Sequence, residues 1–427
     1  MISLFSGAMG LDLGLEKAGF RARVAVECDR FAAETIRCNR PEITVLQRRI
    51  EDVSTEEILE AAGLEPGEAA LVTGGPSCQA FSTAGQRGSI SDPRGILFQE
   101  FLRVVREARP RFFVMENVKG VLSAAIKHRP LIQRGPGHPQ LDEEEQLGSA
   151  LIQILRALRK TGYFIVFDLL NSADFGVPQT RERVLFIGSR DGEPIWTPSP
   201  THSSDGANGL ARWVTLRQAL AGLHEKKHEY CQLPPSKKKW IEMVPPGGNW
   251  RDLPLHLQQE ALGAAFVSWG GRSGFCRRLA WDRPSPALTT RPDSKATMLA
   301  HPEELRPLSV EEYARIQQFP ESWILSGGIP QKYKQLGNAV PVGLGAAVGF
   351  LLRAVMRKRK RVRLKRNGMI ICADSSRIQR LAARPQTVLN PQRMRGNKTL
   401  SAAREWMSGQ RRPELLRLVT LVRPKAE

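Results

Sequence analysis

Short apolar runs alternate with amphipathic stretches through the first half of the chain. The runs ISLF from Ile2, ARVAVE from Ala22, ALVTG from Ala70, RFFVME from Arg111, FIVFDLL from Phe164 and RVLFIG from Arg183 have strand length and strand composition. Between them, LDLGLEKAG, RFAAETIRCN, LFQEFLRVVREA and GSALIQILRALRKTG repeat apolar residues at helical spacing. Strands alternating with helices of this length predict βαβ units and an α/β, doubly wound, mostly parallel sheet.

The pattern breaks near Asp191. From there to about Pro302 the chain is rich in Pro, Gly, Trp and charged residues with weak periodicity, which predicts a small irregular second domain. Helical spacing returns in SVEEYARIQQF and GLGAAVGFLLRAVM, so the first domain is expected to resume there. Beyond Met356 follow RKRKRVRLKR and a polar, Arg-rich segment with one weak apolar stripe near LLRLVTLV, the composition of a flexible tail.

Charge sharpens this division. The chain has 427 residues and a formal net charge of +20. From Arg353 to the end there are 21 Lys and Arg against 4 Asp and Glu, leaving 42 against 39 in the rest. The body is nearly neutral and the tail is cationic, which favours sequence-independent phosphate contact by the tail, with a solvated appendage without function and a site for a protein partner as the alternatives. The six cysteines are scattered without CxxC or Cys/His clusters, so no metal and no disulfide framework is expected. No secretory leader and no uncharged run near the roughly 20 residues of a bilayer span stands out, and a cytoplasmic protein without a membrane partner is expected.

Candidate chemistry sits where the predicted strands end. LFSGAMG places Gly7 and Gly10 between a strand and a helix, and Glu27 ends the next strand. Such a turn presents backbone N–H groups to an anionic group, while the carboxylate suits ribose hydroxyls; a tight βα turn without ligand is the plain alternative. GGPSCQAFS places a single thiol, Cys78, at a strand-to-loop turn. An inert buried cysteine is the usual reading of a lone thiol, but the carboxyl end of a parallel strand is where open α/β sheets keep their sites. MENVKG presents Glu116 and Asn117 after an apolar run, and PQTRERVLF presents Arg181 and Arg183 before one. Singly these read as a helix-start carboxylate and a solvated edge; together with the thiol they make a site.

The ordered series LFSGAMG, GGPSCQAFS, ENVKG, QTRER, RPLSVEEYARIQQFP and QLGNAVPV closely resembles the DNA (cytosine-5) methyltransferases of bacterial type, over roughly residues 2 to 350. The resemblance implies the S-adenosylmethionine-dependent methyltransferase fold and transfer of a methyl group from S-adenosylmethionine to carbon 5 of cytosine in double-stranded DNA. By position, Cys78 is then the nucleophile that adds to carbon 6, and Glu116 faces N3 and the exocyclic amine, a general-acid role that needs a raised pKa. Arg183 holds O2 and Arg181 braces the site. The base must leave the helix to be reached. Phe5, Gly7, Gly10, Glu27, Ile50, Leu97, Asn338 and Val340 fall on cofactor positions.

The same resemblance divides the chain into a catalytic domain (1–190), a target-recognition domain (191–305), a return to the catalytic domain (306–353) and a basic tail (354–427). Arg272, Arg277, Arg278, Arg291 and Lys295 are candidate DNA contacts in the inserted part, unsorted between base and phosphate. A monomer is expected, and a cognate restriction endonuclease is compatible with the compact architecture. Three positions depart from the family pattern: Ser77 replaces the proline before the cysteine, Arg49, in what reads as the third strand, replaces an Asp beside the adenine amine, and Ser3 replaces an acidic residue. An RNA cytosine methyltransferase and a non-catalytic nucleic-acid-binding relative are the rival readings.

Overall fold

The computed structural model describes residues 1–76, 97–130, 133–134, 137–223, 228–266, 273–357, 368–383 and 413–419. Its strands are β1 (Ile2–Leu4), β2 (Val24–Val26), β3 (Thr44–Leu46), β4 (Leu71–Gly74), β5 (Phe112–Val118), β6 (Phe164–Asn171), β7 (Gln179–Thr180) and β8 (Glu182–Ser189). There follow β9 (His202–Ser203), β10 (Ala211–Arg212), β11 (Ser285–Pro286) and β12 (Ile370–Cys372). Eight of them form one sheet in the order β12-β6-β8-β5-β4-β1-β2-β3. Strand β8 runs antiparallel to both of its neighbours, and the other pairings in the sheet are parallel. The chain moves outward from β1 to β3 and restarts at β4 on the other side of β1. The β1–β4 boundary is therefore the topological switch point, where sheets of this kind bind ligands beyond their carboxyl ends.

Helices cover both faces, which is why the central strands read as unbroken apolar runs rather than as alternating ones. They are α1 (Gly10–Lys17), α2 (Arg30–Asn39), α3 (Thr55–Ala62), α4 (Leu97–Ala108) and α5 (Ser149–Arg159). One core contains Leu13, Leu15, Val348 and Leu352, and the other Ile58, Phe101, Val105, Leu151 and Leu155. Local chemistry sets the helix ends. Asp29 accepts from the N–H groups of Phe31 and Ala32, and Ser54 accepts from Glu57 N–H. Gly63 closes α3 at φ +60°, a left-handed conformation that favours glycine.

The inserted region carries α6 (Leu216–Leu220), whose Leu216 and Leu220 join the main core, and α7 (Pro235–Met243) and α8 (Leu255–Leu262) around two small apolar clusters. Trp240, Val244, Trp250 and Leu262 belong to the first, Leu233, Ile241 and Met298 to the second. β11 pairs with β7 and ties this region to the main fold. The chain then returns through α9 (Val310–Ile316), α10 (Ile329–Asn338) and α11 (Val342–Arg357). Helices α10 and α11 together are long and apolar enough to cross a bilayer, but 56% of that apolar window is buried in the protein. Helix α11 lies against α1, and the approach depends on small residues. A Cβ on Gly14 would stand 2.2 Å from Val342 O.

Three elements differ from the sequence reading. The third strand ends at Leu46, and RRIEDV folds as a loop followed by a 3-10 turn, Ile50–Asp52. Helix α3 is absent from the stretches picked out by apolar spacing, although STEEILEAAG carries its capping serine and closing glycine. The reading of 354–427 as a flexible tail also fails for part of that segment. Helix α11 continues to Arg357, and Ile370, Ile371 and Cys372 are at most 1% exposed in β12, which extends the sheet beyond β6. Helix α12 (Ser375–Ala383) follows, and α13 (Pro413–Leu418) packs on α5. Arg377 pairs with Asp168 of β6 and donates to Leu169 O at 3.1 Å. The physical reason is the open edge of β6, whose unpaired backbone groups accept a short apolar strand. Most of RKRKRVRLKR lies outside the described residues.

Candidate active site

Beyond Leu4 the chain turns into α1 through Phe5 (φ +52°), Gly7 (φ +53°) and Met9 (φ +68°). A Cβ on Gly7 would meet nothing within 4 Å, so this turn opens onto free space. Glu27 stands beside it at the end of β2, 8% exposed. It accepts from Gly7 N–H at 2.7 Å through Oε2 and from Asp29 N–H at 2.8 Å through Oε1. Burial pushes its carboxyl above the usual range, and these two backbone donors pull in the opposite direction. Each oxygen keeps a lone pair for a further donor. Phe5, Leu46 and Leu97 pack, partly exposed, on the apolar cluster that contains Ile50. An open glycine turn, a fixed carboxylate and an adjoining apolar wall fit an adenosyl group with an amino-acid end. The carboxylate suits the ribose hydroxyls, the wall suits the adenine ring, and the turn amides suit the carboxylate end.

Gly10 does not share that opening. A Cβ there would stand 2.3 Å from Val340 O, so the missing side chain serves the close approach of the segment before α11. Val340 itself is 7% exposed, and Asn338, the last residue of α10, is exposed.

The second half of the site is built by the reversal of β8. Because β8 runs against β5, Val118 pairs with Arg183, and the start of one strand meets the carboxyl end of the other. Glu116 is two residues before Val118 and therefore points to the same face. Arg183 Nε lies 2.6 Å from Glu116 Oε1, both side chains being mostly buried. That N–H is not aligned for a hydrogen bond, so the contact is one of charge. Gly75 completes the pair. A Cβ there would stand 2.7 Å from Glu116 Oε2, and only glycine leaves room for the carboxylate. Asn117 is 3% exposed, and its Oδ1 accepts from Val118 N–H.

Arg181 plays a different part. It is 2% exposed and donates to Leu288 O at 2.9 Å and Gly337 O at 2.6 Å. Burial, and then the charge of Arg183, pull its pKa well below the ordinary arginine value. It is a positioning residue that ties the strand bearing Arg183 to α10. Two residues that motif reading left aside belong to this brace. Gln179 accepts from Leu288 N–H and donates to Gln317 at 3.1 Å, and Gln317 donates to Leu336 O and Ala339 O. Both glutamines are fully buried, and the polar pair QQ inside RIQQF was the available signal.

Of the departures from the family pattern, Arg49 is exposed and paired with Glu51 at 2.6 Å. Ser3 is buried and donates to Ser6 Oγ at 2.8 Å. The buried acid sits instead on α1: Asp12 is 2% exposed, its side chain meets Ser3, and its Oδ1 has no partner among the described residues. Burial pushes its pKa up to about 7. Cys78 and Ser77 lie outside the described residues. β4 ends at Gly74, between the Glu27 turn and the Glu116–Arg183 pair in the strand order, and Cys78 follows four residues later.

Comparison with known proteins fits this geometry. The family described as C-5 cytosine-specific DNA methylase matches residues 1–350. The chain is 36% identical to the type II methyltransferase M.Sau96I of Staphylococcus aureus over 347 residues, 81% of this chain and 73% of that one. It is 37% identical to M.Eco47II of Escherichia coli over 359 residues, 82% of this chain and 77% of that one. Among solved structures, the fold is shared with the Dnmt2 methyltransferase of S. pombe, with a TM-score of 0.51, 20% identity and coverage of 83% and 98% of the two chains. A prophage-encoded E. coli protein described as a DNA modification methyltransferase has a TM-score of 0.56 at 23% identity, covering 83% and 98%. With the family match spanning seven of the sheet's eight strands and both halves of the site, the chain belongs to the C-5 cytosine-specific DNA methylases, the methyltransferases that take their methyl group from S-adenosylmethionine.

Proposed function

We propose that this protein methylates carbon 5 of a cytosine flipped out of duplex DNA, with Cys78 as nucleophile and the Glu116–Arg183 pair as the grip on the base. The observation that supports it is that pair: a carboxylate and a guanidinium 2.6 Å apart, mostly buried, at the carboxyl edge of the sheet and one strand from the glycine turn. Carbon 5 of cytosine is a weak nucleophile. Attack of the Cys78 thiolate on carbon 6 makes the carbon 5–carbon 4 side enamine-like, and carbon 5 then takes the methyl group. Glu116 faces N3 and the exocyclic amine and offsets the charge that develops there. Arg183 donates to O2, and its charge contact with Glu116 keeps both groups turned to the same ring. Removal of the carbon 5 proton lets the thiol leave and restores aromaticity.

S-adenosylmethionine, when bound, supplies an electrophilic methyl on a sulfonium. Glu27, Phe5, Ile50 and Leu97 hold its nucleoside part in this reading, and Gly7 leaves room for its amino-acid end. No metal takes part. The protein acts as a cytoplasmic monomer, with a restriction endonuclease of the same specificity as its natural companion. The inserted region, with the cleft described below, favours duplex DNA over RNA. The test is methyl transfer from labelled S-adenosylmethionine to mixed-sequence duplex DNA and to tRNA side by side. Label in the duplex alone supports the proposal, and label in tRNA alone replaces it with an RNA methyltransferase.

A further inference from the structure

The inserted region and the main fold enclose a cleft of about 650 Å³. Its lining includes Thr180, the residue before Arg181 in the chain, so the cleft reaches the segment that braces Arg183. Four arginines line it, and three of them, Arg277, Arg278 and Arg283, commit their nitrogens differently. Arg278 donates to Val244 O at 3.2 Å and to Glu303 O at 2.7 Å. Arg283 donates to Gly247 O at 2.8 Å. Arg277 uses only Nε, on Met298 O at 3.2 Å, and among the described residues nothing accepts from its two terminal amines. Of the polar side chains nearby, Thr215 and Gln218 cap each other and Asn249 accepts from Arg251 N–H, while Ser204, Ser273 and Asp282 also line the cleft. Arg291 is exposed and pairs with Asp293, and Arg272 lies outside the described residues.

We propose that Arg277 reads a guanine next to the target cytosine, donating through its two terminal amines to O6 and N7 in the major groove. This rests on the duplex-DNA reading above. The Nε bond to Met298 O fixes the plane of the guanidinium, which leaves an end-on pair of donors at the spacing of the two guanine acceptors. Arg277 lines the cleft, and a ligand that brings two acceptors into it pairs with both amines. Arg212 also lines the cleft but is exposed on its rim, where a phosphate contact is made.

The test is methylation of a randomised duplex library by the full-length protein, with the modified cytosines read by sequencing. The intact protein selects a guanine at a position flanking the cytosine. Arg277→Ala relaxes that one position by about 10- to 100-fold and keeps the rest of the motif. Replacing that guanine with 7-deazaguanine penalises the intact protein and leaves Arg277→Ala unchanged. Arg212→Ala weakens binding to all sequences alike and reduces the salt slope by about one. Arg277→Ala with full discrimination at every position overturns the assignment, and a uniform loss of affinity makes Arg277 a phosphate contact instead. Should that variant fail to fold, the intact protein decides: indifference to 7-deazaguanine at every flanking guanine also overturns it. A protein that methylates no duplex overturns the duplex-DNA reading itself, a distinct result.

Discussion

The carboxyl edge of the sheet and the inserted region both present arginines beside open space, and they commit them in opposite ways. At the sheet edge, Arg183 faces a carboxylate, and Arg181 is spent on backbone carbonyls that brace it. In the inserted region, Arg278 is spent on carbonyls, and Arg277 bonds Met298 O through Nε while nothing among the described residues accepts from its terminal amines. In each region one guanidinium builds the site and a neighbour serves it. What tells them apart is which nitrogens already hold an acceptor, a property that sequence does not carry.

This contrast is broken most forcefully at Glu116. Glu116→Gln keeps the shape but removes the charge facing Arg183, and kcat should fall by about 10²- to 10⁴-fold with the fold intact; a loss below tenfold in steady-state kinetics would remove Glu116 from the reaction. Gly75→Ala comes next. The added Cβ stands 2.7 Å from Glu116 Oε2, so the carboxylate must move. Activity should fall by about 10- to 100-fold, since small misplacements at a reacting centre are expensive. An unchanged kcat would show that Glu116 does not work from the position described.

Arg181→Met sharpens the comparison from the other side. It strands Leu288 O and Gly337 O in a buried place, and should cost about 3 kcal/mol of stability by denaturant unfolding. Below the lowered melting temperature, that variant should retain more activity than Glu116→Gln. The reverse order would make Arg181 a catalytic residue.

The smallest expected effect on activity concerns Asp12. Its carboxyl titrates near pH 7 in the fold against 3.8 for an ordinary Asp, so between these values the folded state holds a proton that the unfolded chain has lost. Stability must then decline as pH rises from about 4 to 7 and level off above, by about 4 kcal/mol at most. Asp12→Asn should remove that decline and be the more stable protein at pH 8. Parallel stability curves from pH 4 to 8 would contradict it.

Much of the site was legible because polar residues interrupt apolar strands. Glu27, Glu116 and Arg183 each end or begin such a run, and strand ends are where a sheet of this class keeps its chemistry. Gly75 was hidden because a glycine next to another glycine reads as turn chemistry, and its neighbour Glu116 is 41 residues away. Gly10 likewise carries a packing contact with Val340, far along the chain, that its turn-like setting concealed. The edge strand β12 is three residues long, too short for periodicity, and exists because β6 offers it a partner. Which nitrogens of Arg277 and Arg278 are bonded depends on where Met298, Val244 and Glu303 place their carbonyls, so RR in FCRRLA does not distinguish the two arginines.

The central claim is covalent attack by Cys78 on a flipped cytosine. Its most direct test is duplex DNA carrying 5-fluorocytosine in varied contexts, incubated with S-adenosylmethionine and the full-length protein. Fluorine cannot leave as the proton does, so the account predicts a protein–DNA adduct that survives denaturing electrophoresis and vanishes in Cys78→Ala. An adduct that persists in Cys78→Ala, or methylation of ordinary duplex DNA with no trapped adduct, would contradict it.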